Sequence, residues 1–439
     1  MSDVPGPDAI VAVPVRNEEE RIAACLRAID AQEGAGSGRV GLVLFLNNCT
    51  DDTETLVSAL VPTLSIPVRV FVENFSGAHA GWARRRAMDA AAAWLGDAGN
   101  AGIILSTDAD SRVPPDWVAR NRAAIAAGAD AVAGRVELDA AEAALLPPSL
   151  PARGRLEDTY DALITEAEAR IDPDPNDPWP CHRTAIGATL AVTRRAYLAV
   201  GGMPEIPLGE DGAFIARLLE HGLRVRHATD VCVTISARLA GRAPGGVADT
   251  IRSRCEEPDA LCDARMEIFS RAVRRYLWRR RFRQMHGRGA LARSDGWARA
   301  IGIAPVEARR IASLPLGQAI AEAERASPRL AYRPIGPRQL PAQIRIARVG
   351  VAAIRLGLGL AAGARRVVGG RGGSWARPDP RGRPPTRAAA ASERQDRRSS
   401  TSRGATPNRR RKARLNVAAS VKPQLVMTGP MRVPPRSRR

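Results

Sequence analysis

Short apolar runs alternate with helix-patterned segments through the first half of the chain, and this alternation constrains the fold more than any other feature. The runs are rich in Val, Ile and Leu and end in polar or turn residues, as strands buried on both faces do. They are Ile10–Val15, Val40–Leu46, Val68–Val72, Ile103–Thr107, Ala131–Val136 and Thr189–Thr193. Between the first two runs, apolar side chains recur at a helical spacing, at Ile22, Cys25, Leu26 and Ile29. Such alternation predicts an α/β domain in which helices flank a mostly parallel sheet.

The sharpest candidate site comes directly after the predicted strand Ile103–Thr107, where Asp108 and Asp110 stand two residues apart. Parallel α/β sheets bind ligands at the carboxyl ends of their strands, and side chains two residues apart in extended chain point to one side. Two carboxylates suit Mn²⁺ or Mg²⁺, which in turn can hold the phosphates of a nucleotide. Asp pairs are also common in turns, but the position at a strand end favours a metal site.

A second acidic pair, Glu210 and Asp211, lies at the predicted start of an amphipathic helix that stops at Gly222. Two interpretations are open. Carboxylates at a helix start interact favourably with the helix dipole, so the pair can be simple capping. Alternatively, the helix start keeps a carboxylate ionised and ready to accept a hydroxyl proton as a general base. Taken alone, this segment favours capping.

A third candidate group lies after the first two predicted strands, at the same edge of the sheet. Pro14, Asn17 and Glu18 follow the first strand, and Asn47 and Asn48 follow the second. Helix capping offers an ordinary explanation for Asn17, because a glutamate stands three residues after it and completes a variant of the capping box. On these residues alone, loop structure and ligand binding both remain open.

In this order and spacing, the segments resemble those of family 2 glycosyltransferases, which have the GT-A fold. The resemblance is carried by Pro14–Glu18, Asn47–Thr53, Asp108–Asp110, Gly201–Met203 and Gly209–Asp211. It implies a Rossmann-like, mostly parallel sheet flanked by helices. It also implies the transfer of a sugar from a nucleoside-diphosphate donor to a hydroxyl acceptor, with inversion at the anomeric carbon. The acceptor, whether a small molecule, a lipid or a glycan, is not specified by these motifs.

The resemblance further implies roles for individual residues. The nucleotide sugar would contact Pro14, Asn17, Glu18, Asn47 or Asn48, Arg84 and Asp108. Asp108 would reach the ribose or the metal, and Asp110 would bind the Mn²⁺ or Mg²⁺ ion that bridges the diphosphate. Asp211, with Glu210 beside it, matches the catalytic base of the family.

Two departures from the family pattern limit the assignment. Family members often carry an Asp where Leu46 or Asn47 stands, so the sequence leaves the nucleotide base open. The Q-x-x-R-W motif of polymer-making members is absent, as are their membrane spans, so we expect non-processive addition of one sugar per cycle. Arg238 and Arg242, in a Gly/Arg-rich segment, either bind a phosphate or an anionic acceptor or serve the structure.

Two other functions remain open. A nucleotidyltransferase of GT-A-like fold would make nucleotide sugars instead of using them. A nucleic-acid-binding protein would act through the basic end of the chain, since most of the formal net charge of +20 lies in residues 371–439. Nearly all of that charge is arginine, in a composition rich in Ala, Gly and Pro, so it is weak evidence for a nucleic-acid partner.

We predict three regions in the chain. Residues 8–245 form the GT-A domain and include the Pro-rich stretch 145–180, in which Asp172–Pro180 is either an ordered lid or binding loop or a surface linker. Residues 246–368 form a mostly helical extension. Residues 369–439 form a disordered Arg-rich tail, because they cannot bury enough apolar surface to offset the entropy of ordering.

The distribution of cysteine and of apolar residues bears on the compartment. The six cysteines are scattered without a CxxC pair, and neither a signal peptide nor an apolar run of spanning length is visible, so we expect a cytoplasmic protein. The segment Ile344–Ala364 interrupts an apolar run with arginines. We favour a helix packed on the domain there, and peripheral membrane contact through an interfacial helix is the alternative.

Overall fold

The computed structural model describes residues 6–96, 102–241 and 245–357, which are built around a seven-stranded sheet. The strands are β1 (Ala9–Val15), β2 (Val40–Leu46), β3 (Val68–Val72), β4 (Ile103–Ser106), β5 (Ala131–Leu138), β6 (Leu190–Thr193) and β7 (Val225–Ile235). The helices are α1 (Ile22–Asp30), α2 (Thr53–Leu60), α3 (Ala80–Leu95), α4 (Trp117–Ala126), α5 (Ala140–Ala143), α6 (Ser149–Ile171), α7 (Arg194–Ala199), α8 (Glu210–Glu220), α9 (Val247–Glu256), α10 (Phe269–Gly287), α11 (Gly296–Ile301), α12 (Pro305–Ala312), α13 (Leu316–Ala326) and α14 (Leu340–Arg355).

The strand order in the sheet is β3-β2-β1-β4-β6-β5-β7. β6 runs antiparallel to both of its neighbours, β4 and β5, and the other paired strands are parallel. The predicted mixed α/β fold with a mostly parallel sheet is therefore confirmed. The carboxyl ends of the parallel strands and the amino end of β6 meet at one edge of the sheet, where ligands are expected to bind.

Helices cover both faces of the sheet, and this explains why the strands are continuous apolar runs. In β1, Val11 and Val13 pack into a core with α1, α2 and α4. The largest fully buried side chain of this core is Trp117, at the start of α4. Ile10 and Ala12, which point the other way, pack into a second core with α3, α7 and α8. Strands that are buried on both faces have no polar side to alternate with.

Strand β3 is an exception, because the prediction that it is buried is wrong. It pairs only with β2 and forms one edge of the sheet. Its side chains Val70, Phe71 and Val72 are 41%, 39% and 54% exposed. The apolar composition of a strand indicates that it belongs to a sheet, but its burial depends on the strand order.

The predicted capping box before α1 is also wrong. Helix α1 begins at Ile22 with Arg21 as its N-cap residue, and no side chain caps it. Asn17 instead takes a positive φ of 51°, a conformation that asparagine tolerates better than most residues. Its Nδ2 donates to Oγ1 of Thr50 at 3.1 Å, and its Oδ1 accepts from the backbone N–H of Thr50 at 2.7 Å. Asn17 therefore ties the loop after β1 to the loop after β2.

The Pro-rich stretch 145–180 contains a long helix, α6, followed by an ordered loop. Pro151 lies in the first turn of α6, where its missing N–H is not needed. In the loop of residues 172–180, the buried carboxylate of Asp177 accepts a hydrogen bond from the backbone N–H of His227 at 3.0 Å. This anchor on β7 favours an ordered loop over a surface linker.

A buried carboxylate joins α6 to the helical extension. Glu168 accepts hydrogen bonds from Arg183 at 3.3 Å, Arg265 at 3.0 Å and Arg279 at 2.8 Å. Burial would raise the pKa of Glu168, but these arginines outweigh that effect and hold the pKa at about 2. The extension therefore packs on α6 through charged groups as well as through an apolar core.

Some regional predictions lie beyond what the structure tests. The predicted disordered tail, residues 369–439, lies outside the described residues, and so does the end of the predicted extension. The boundary between the GT-A domain and the extension, at residues 245 and 246, stays a prediction. Over the described ranges, no helix combines the length and the apolar character needed to cross a membrane.

We predict that Glu168→Gln lowers the free energy of unfolding by about 3–5 kcal/mol, because it removes the buried common anion of three half-buried arginines. Urea unfolding followed by circular dichroism measures the change. Glu307→Gln is the control, since Glu307 is paired with Arg310 on the surface and its loss is expected to cost less than about 1 kcal/mol. Equal changes in the two variants would contradict the prediction.

Candidate active site

A cavity of about 390 Å³ opens at the carboxyl edge of the sheet. The loops after β1, β2, β4 and β7 line it, together with the start of α3, the turn before β6 and the start of α8. The predicted site residues that line it are Pro14, Glu18, Asn47, Arg84, Asp108, Asp110, Glu210 and Asp211. Side chains that are far apart in the sequence therefore meet in one cavity. The strand-end argument predicted this for the residues that follow strands, whereas Arg84, Glu210 and Asp211 were expected here from the resemblance alone.

The buried guanidinium of Arg84 lies at the floor of this cavity. It donates to Asp108 at 2.7 Å, to Glu210 at 3.1 Å, to Oγ of Ser106 at 2.9 Å and to the carbonyl oxygen of Gly187 at 3.0 Å. These partners hold the guanidinium against the protein, so its observed contacts are with carboxylates and backbone. Contact between Arg84 and a diphosphate stays a prediction.

Asp211 and Glu210 are adjacent in sequence but have different partners. Both oxygens of Asp211 accept backbone N–H groups, Oδ2 from Gly187 at 3.0 Å and Oδ1 from Gly212 at 2.7 Å, whereas Glu210 is paired with Arg84. The N-cap residue of α8 is a glycine in the left-handed conformation, with φ of 76°, and no side chain caps the helix. The acidic pair therefore does not supply the N-cap of α8, although both carboxylates lie in its first turn, where the helix dipole favours negative charge.

The environment of Asp211 makes its carboxylate unusually basic. Burial, followed by the negative charge of Glu210, raises the pKa of Asp211 to about 6, although the N–H groups of Gly212 and Gly187 and the charge of Arg84 oppose the rise. A carboxyl group in this range is mostly ionised at neutral pH and still accepts a proton more readily than a solvated aspartate does.

A second arginine, Arg238, stands on the other side of the Asp108–Asp110 turn. Its Nη1 and Nη2 atoms donate to the two oxygens of Glu18 at 2.8 and 2.6 Å, and Nη2 lies 3.0 Å from Oδ2 of Asp110. This bidentate pair ties the segment after β7 to the loop after β1. Arg242, in the same segment, lies outside the described residues.

The residues Asp108 and Asp110 fit the chemistry of Mn²⁺ or Mg²⁺. Burial and the negative charge of Asp108 raise the pKa of Asp110 to about 7, so negative charge has accumulated that a cation would relieve. Within residues 6–96, 102–241 and 245–357, no three His, Cys, Asp or Glu side chains are grouped to hold a metal. The protein's share would be two carboxylates, and such ions commonly take their other ligands from substrate phosphates and water.

Asn47 is a further candidate for ligand contact. Its side chain lines the cavity and is only 3% exposed. In the part of the chain that the structure describes, its Oδ1 atom has no hydrogen-bond partner. An unpaired buried oxygen is costly, so a bound ligand that donates a hydrogen bond here would be favoured.

Two predicted site residues, Asn17 and Asn48, do not line the cavity. Asn48 has a φ of 48°, its Nδ2 donates to the carbonyl of Phe75 at 2.8 Å, and its Oδ1 accepts from the Phe75 N–H at 2.9 Å. Both asparagines thus shape the loops around the cavity through side-chain bonds to distant segments. Their direct contact with a nucleotide stays a prediction.

The sequence did not single out some of the residues that line the cavity. Gly187 carries no recognisable motif, yet its N–H and C=O groups contact Asp211 and Arg84. Arg16 is an exposed cation that lines the cavity, although only its neighbours Pro14, Asn17 and Glu18 were predicted as site residues.

Comparison with solved structures finds similar chains at low identity. Mannosyltransferase PcManGT from Pyrobaculum calidifontis, in complex with GDP-Man and Mn²⁺, is 19% identical over 83% of this chain and 79% of its own, with a TM-score of 0.38. S. aureus TarS 1–349 in complex with UDP-GlcNAc is 14% identical over 80% and 93%, with a TM-score of 0.40. Glucosyl-3-phosphoglycerate synthase from Mycobacterium tuberculosis, in complex with phosphoglyceric acid, is 19% identical over 59% and 83%, with a TM-score of 0.34.

Comparison at the level of sequence gives one result for families and none for individual proteins. No curated protein matches the chain. The family model described as Glycosyl transferase family 2 matches residues 10–174. That range contains the motifs Pro14–Glu18, Asn47–Thr53 and Asp108–Asp110, whereas Glu210 and Asp211 lie beyond it. Residues 10–174 of this chain are therefore similar to the family 2 glycosyltransferases.

Proposed function

We propose that this protein transfers a hexose from a nucleoside-diphosphate sugar to a hydroxyl group of an acceptor, with inversion at the anomeric carbon. The observation that carries the proposal is that carboxylate side chains from two separate places in the fold meet in one cavity. Asp108 and Asp110 follow β4, and Asp211 lies at the start of α8. Asp108 and Asp110 suit the binding of a cation that holds a diphosphate, and Asp211 suits the role of a proton acceptor.

The proposed donor side of the cavity lies at the ends of β1, β2 and β4. Asp108 and Asp110 would hold Mn²⁺ or Mg²⁺, and the bound metal would offset the negative charge that develops on the departing diphosphate. Arg238 adds a fixed positive charge beside Asp110. Glu18 and Asn47 line the same side and are the proposed contacts of the nucleoside.

Asp211 is the proposed general base. Backbone N–H groups fix both of its oxygens, so the carboxylate is held in place to take a proton from an acceptor hydroxyl. The oxygen then attacks the anomeric carbon as the bond to the diphosphate breaks, and displacement from the opposite side inverts that carbon. Glu210, which is bound to Arg84, is proposed to position the site and not to take the proton.

The proposed setting is the cytoplasm, with one sugar added per cycle. All six cysteines are free, as is usual in a reducing compartment. The direct test incubates the full-length protein with UDP-sugars or GDP-sugars, Mn²⁺ and hydroxyl acceptors and identifies the nucleotide product. Release of UDP or GDP supports the proposal. Formation of pyrophosphate from a sugar phosphate and a nucleoside triphosphate would identify a nucleotidyltransferase instead.

We predict that Asp211→Asn lowers kcat by about 10²–10⁴-fold, because the amide cannot accept the hydroxyl proton. The Kd for the nucleoside-diphosphate sugar, measured by calorimetry, is expected to stay unchanged. Glu220→Gln, at the other end of α8, is the matched control and should keep the wild-type kcat. Equal kcat values in the two variants would remove Asp211 from the proposed mechanism.

We also predict a pH dependence of kcat. Asp211 must be ionised to accept a proton, and its pKa is raised to about 6. The value of kcat should therefore fall about tenfold for each pH unit below that pKa and level off above it. Initial rates between pH 5 and 8 at saturating donor measure the profile. In Asp211→Asn the residual rate should lose this rise, and a rise that persists would assign the titration to another group.

The metal assignment predicts that a chelator abolishes turnover and that added Mn²⁺ or Mg²⁺ restores it. Asp110→Ala should abolish turnover in either condition, since one of two proposed protein ligands is lost. Calorimetry of UDP and GDP binding gives a second readout: Mn²⁺ should strengthen binding to the wild type and not to Asp110→Ala. Asp116→Ala, which removes a half-buried carboxylate before α4 and outside the cavity, is the control that should behave as wild type. An affinity of the wild type for UDP and GDP that does not change when Mn²⁺ is added would refute the assignment.

A further inference from the structure

Helix α14 is apolar on two opposite faces. One face is buried against the rest of the protein through Leu340, Ile344, Ala347 and Val351. The other face carries Ile346, Val349 and Leu356, which are 51%, 73% and 73% exposed. Single exposed aliphatic side chains are ordinary on a protein surface. Here, however, three exposed aliphatic side chains lie within one short segment of the described chain.

The spacing of these residues places them in one stripe. At about 100° per residue, Ile346, Val349 and Leu356 fall within roughly one quarter of the helix circumference, opposite the buried residues. Ala342 and Ala353 fall in the same sector, so small or aliphatic residues fill it. A surface helix usually turns one apolar face to the core and a polar face to solvent, whereas here a second apolar stripe faces solvent.

Charge on the helix indicates what covers this stripe. Arg345 and Arg348 are exposed and flank it on one side, and Arg355 lies further round, where it pairs with Glu166 of α6. Between residues 340 and 357 the sequence contains no Asp or Glu, and the next charged residues along the chain are Arg365 and Arg366. An aliphatic stripe bordered by arginines and lacking carboxylates matches helices that lie in the interface of an anionic bilayer.

We propose that the outer face of α14 docks this protein on the surface of an anionic lipid bilayer. Ile346, Val349 and Leu356 enter the boundary between headgroups and acyl chains, and Arg345 and Arg348 contact lipid phosphates. The helix lies in the plane of the interface and does not cross it. This inference uses no residue of the cavity, so it stands or falls independently of the proposed transferase chemistry.

The test is flotation of the full-length protein with liposomes of phosphatidylcholine alone or mixed with phosphatidylglycerol. Val349→Glu should lower the bound fraction on the anionic liposomes about tenfold or more, because a charged side chain replaces one that would be buried. Val306→Glu is the matched control, since Val306 is 71% exposed on another helix, α12, and its substitution should leave binding unchanged. Val349→Ser, which adds no charge, should weaken binding in the same direction and guards against a folding defect.

The arginines are tested in the same assay. Arg345→Gln combined with Arg348→Gln should weaken binding to the anionic liposomes and leave the weak binding to phosphatidylcholine unchanged. Arg281→Gln, an exposed arginine of α10, is the control. The basic residues 371–439 are present in every variant, so the differences between variants report on α14 alone.

Three results would overturn the proposal. The first is a wild-type protein that does not float with anionic liposomes. The second is equal binding by Val349→Glu and Val306→Glu. The third is a wild-type dimer, seen by light scattering, that Val349→Glu converts to a monomer without changing liposome binding. That last result would assign the stripe to contact between two copies of the chain.

Discussion

The arrangement of the site depends on one buried guanidinium. Arg84 reaches from α3 to Asp108 after β4 and to Glu210 at the start of α8, so it joins one residue of the proposed metal pair to the sequence neighbour of the proposed base. Without it, these acidic side chains would face each other in a cavity of low polarity, where unpaired negative charge is costly. The role that the structure gives Arg84 is to hold these groups in position, and a direct contact with phosphate is not needed to explain why it is there.

A second ion pair confines the other side of the cavity. Arg238 grips Glu18 with two hydrogen bonds and reaches Asp110, so the segment after β7 is tied to the loop after β1. An ion pair therefore borders the cavity, and its two residues follow β1 and β7, which are not neighbours in the sheet. These ion pairs explain how the edge of the sheet holds a defined set of carboxylates.

The sequence predicted those features that depend on local pattern and on the general rule for strand ends. Apolar runs located the strands, and the rule placed Asp108 and Asp110 at the edge of the sheet where the cavity lies. Asp211 follows no strand, and only the resemblance to family 2 glycosyltransferases linked it to this site. Features set by distant partners were not predictable. Phe71 is exposed because β3 is an edge strand, and the apolar run of a strand does not determine its place in the sheet. Asn17 was interpreted as a cap, but its partner lies in another loop, and an asparagine side chain bonds to backbone and to ligands equally well.

The reversed direction of β6 has a consequence for how this cavity can change. Because β6 runs opposite to its neighbours, Gly187 enters the cavity from the amino end of a strand, and its backbone touches Asp211 and Arg84 at once. A methyl group at position 187 would come within 2.3 Å of the Arg84 guanidinium, which its acceptors hold in place. Any residue larger than glycine there would disturb the side chains of Arg84 and Asp211 together. Divergence of substrate preference in this protein is thus expected to proceed through the outer loops, with this position left as it is.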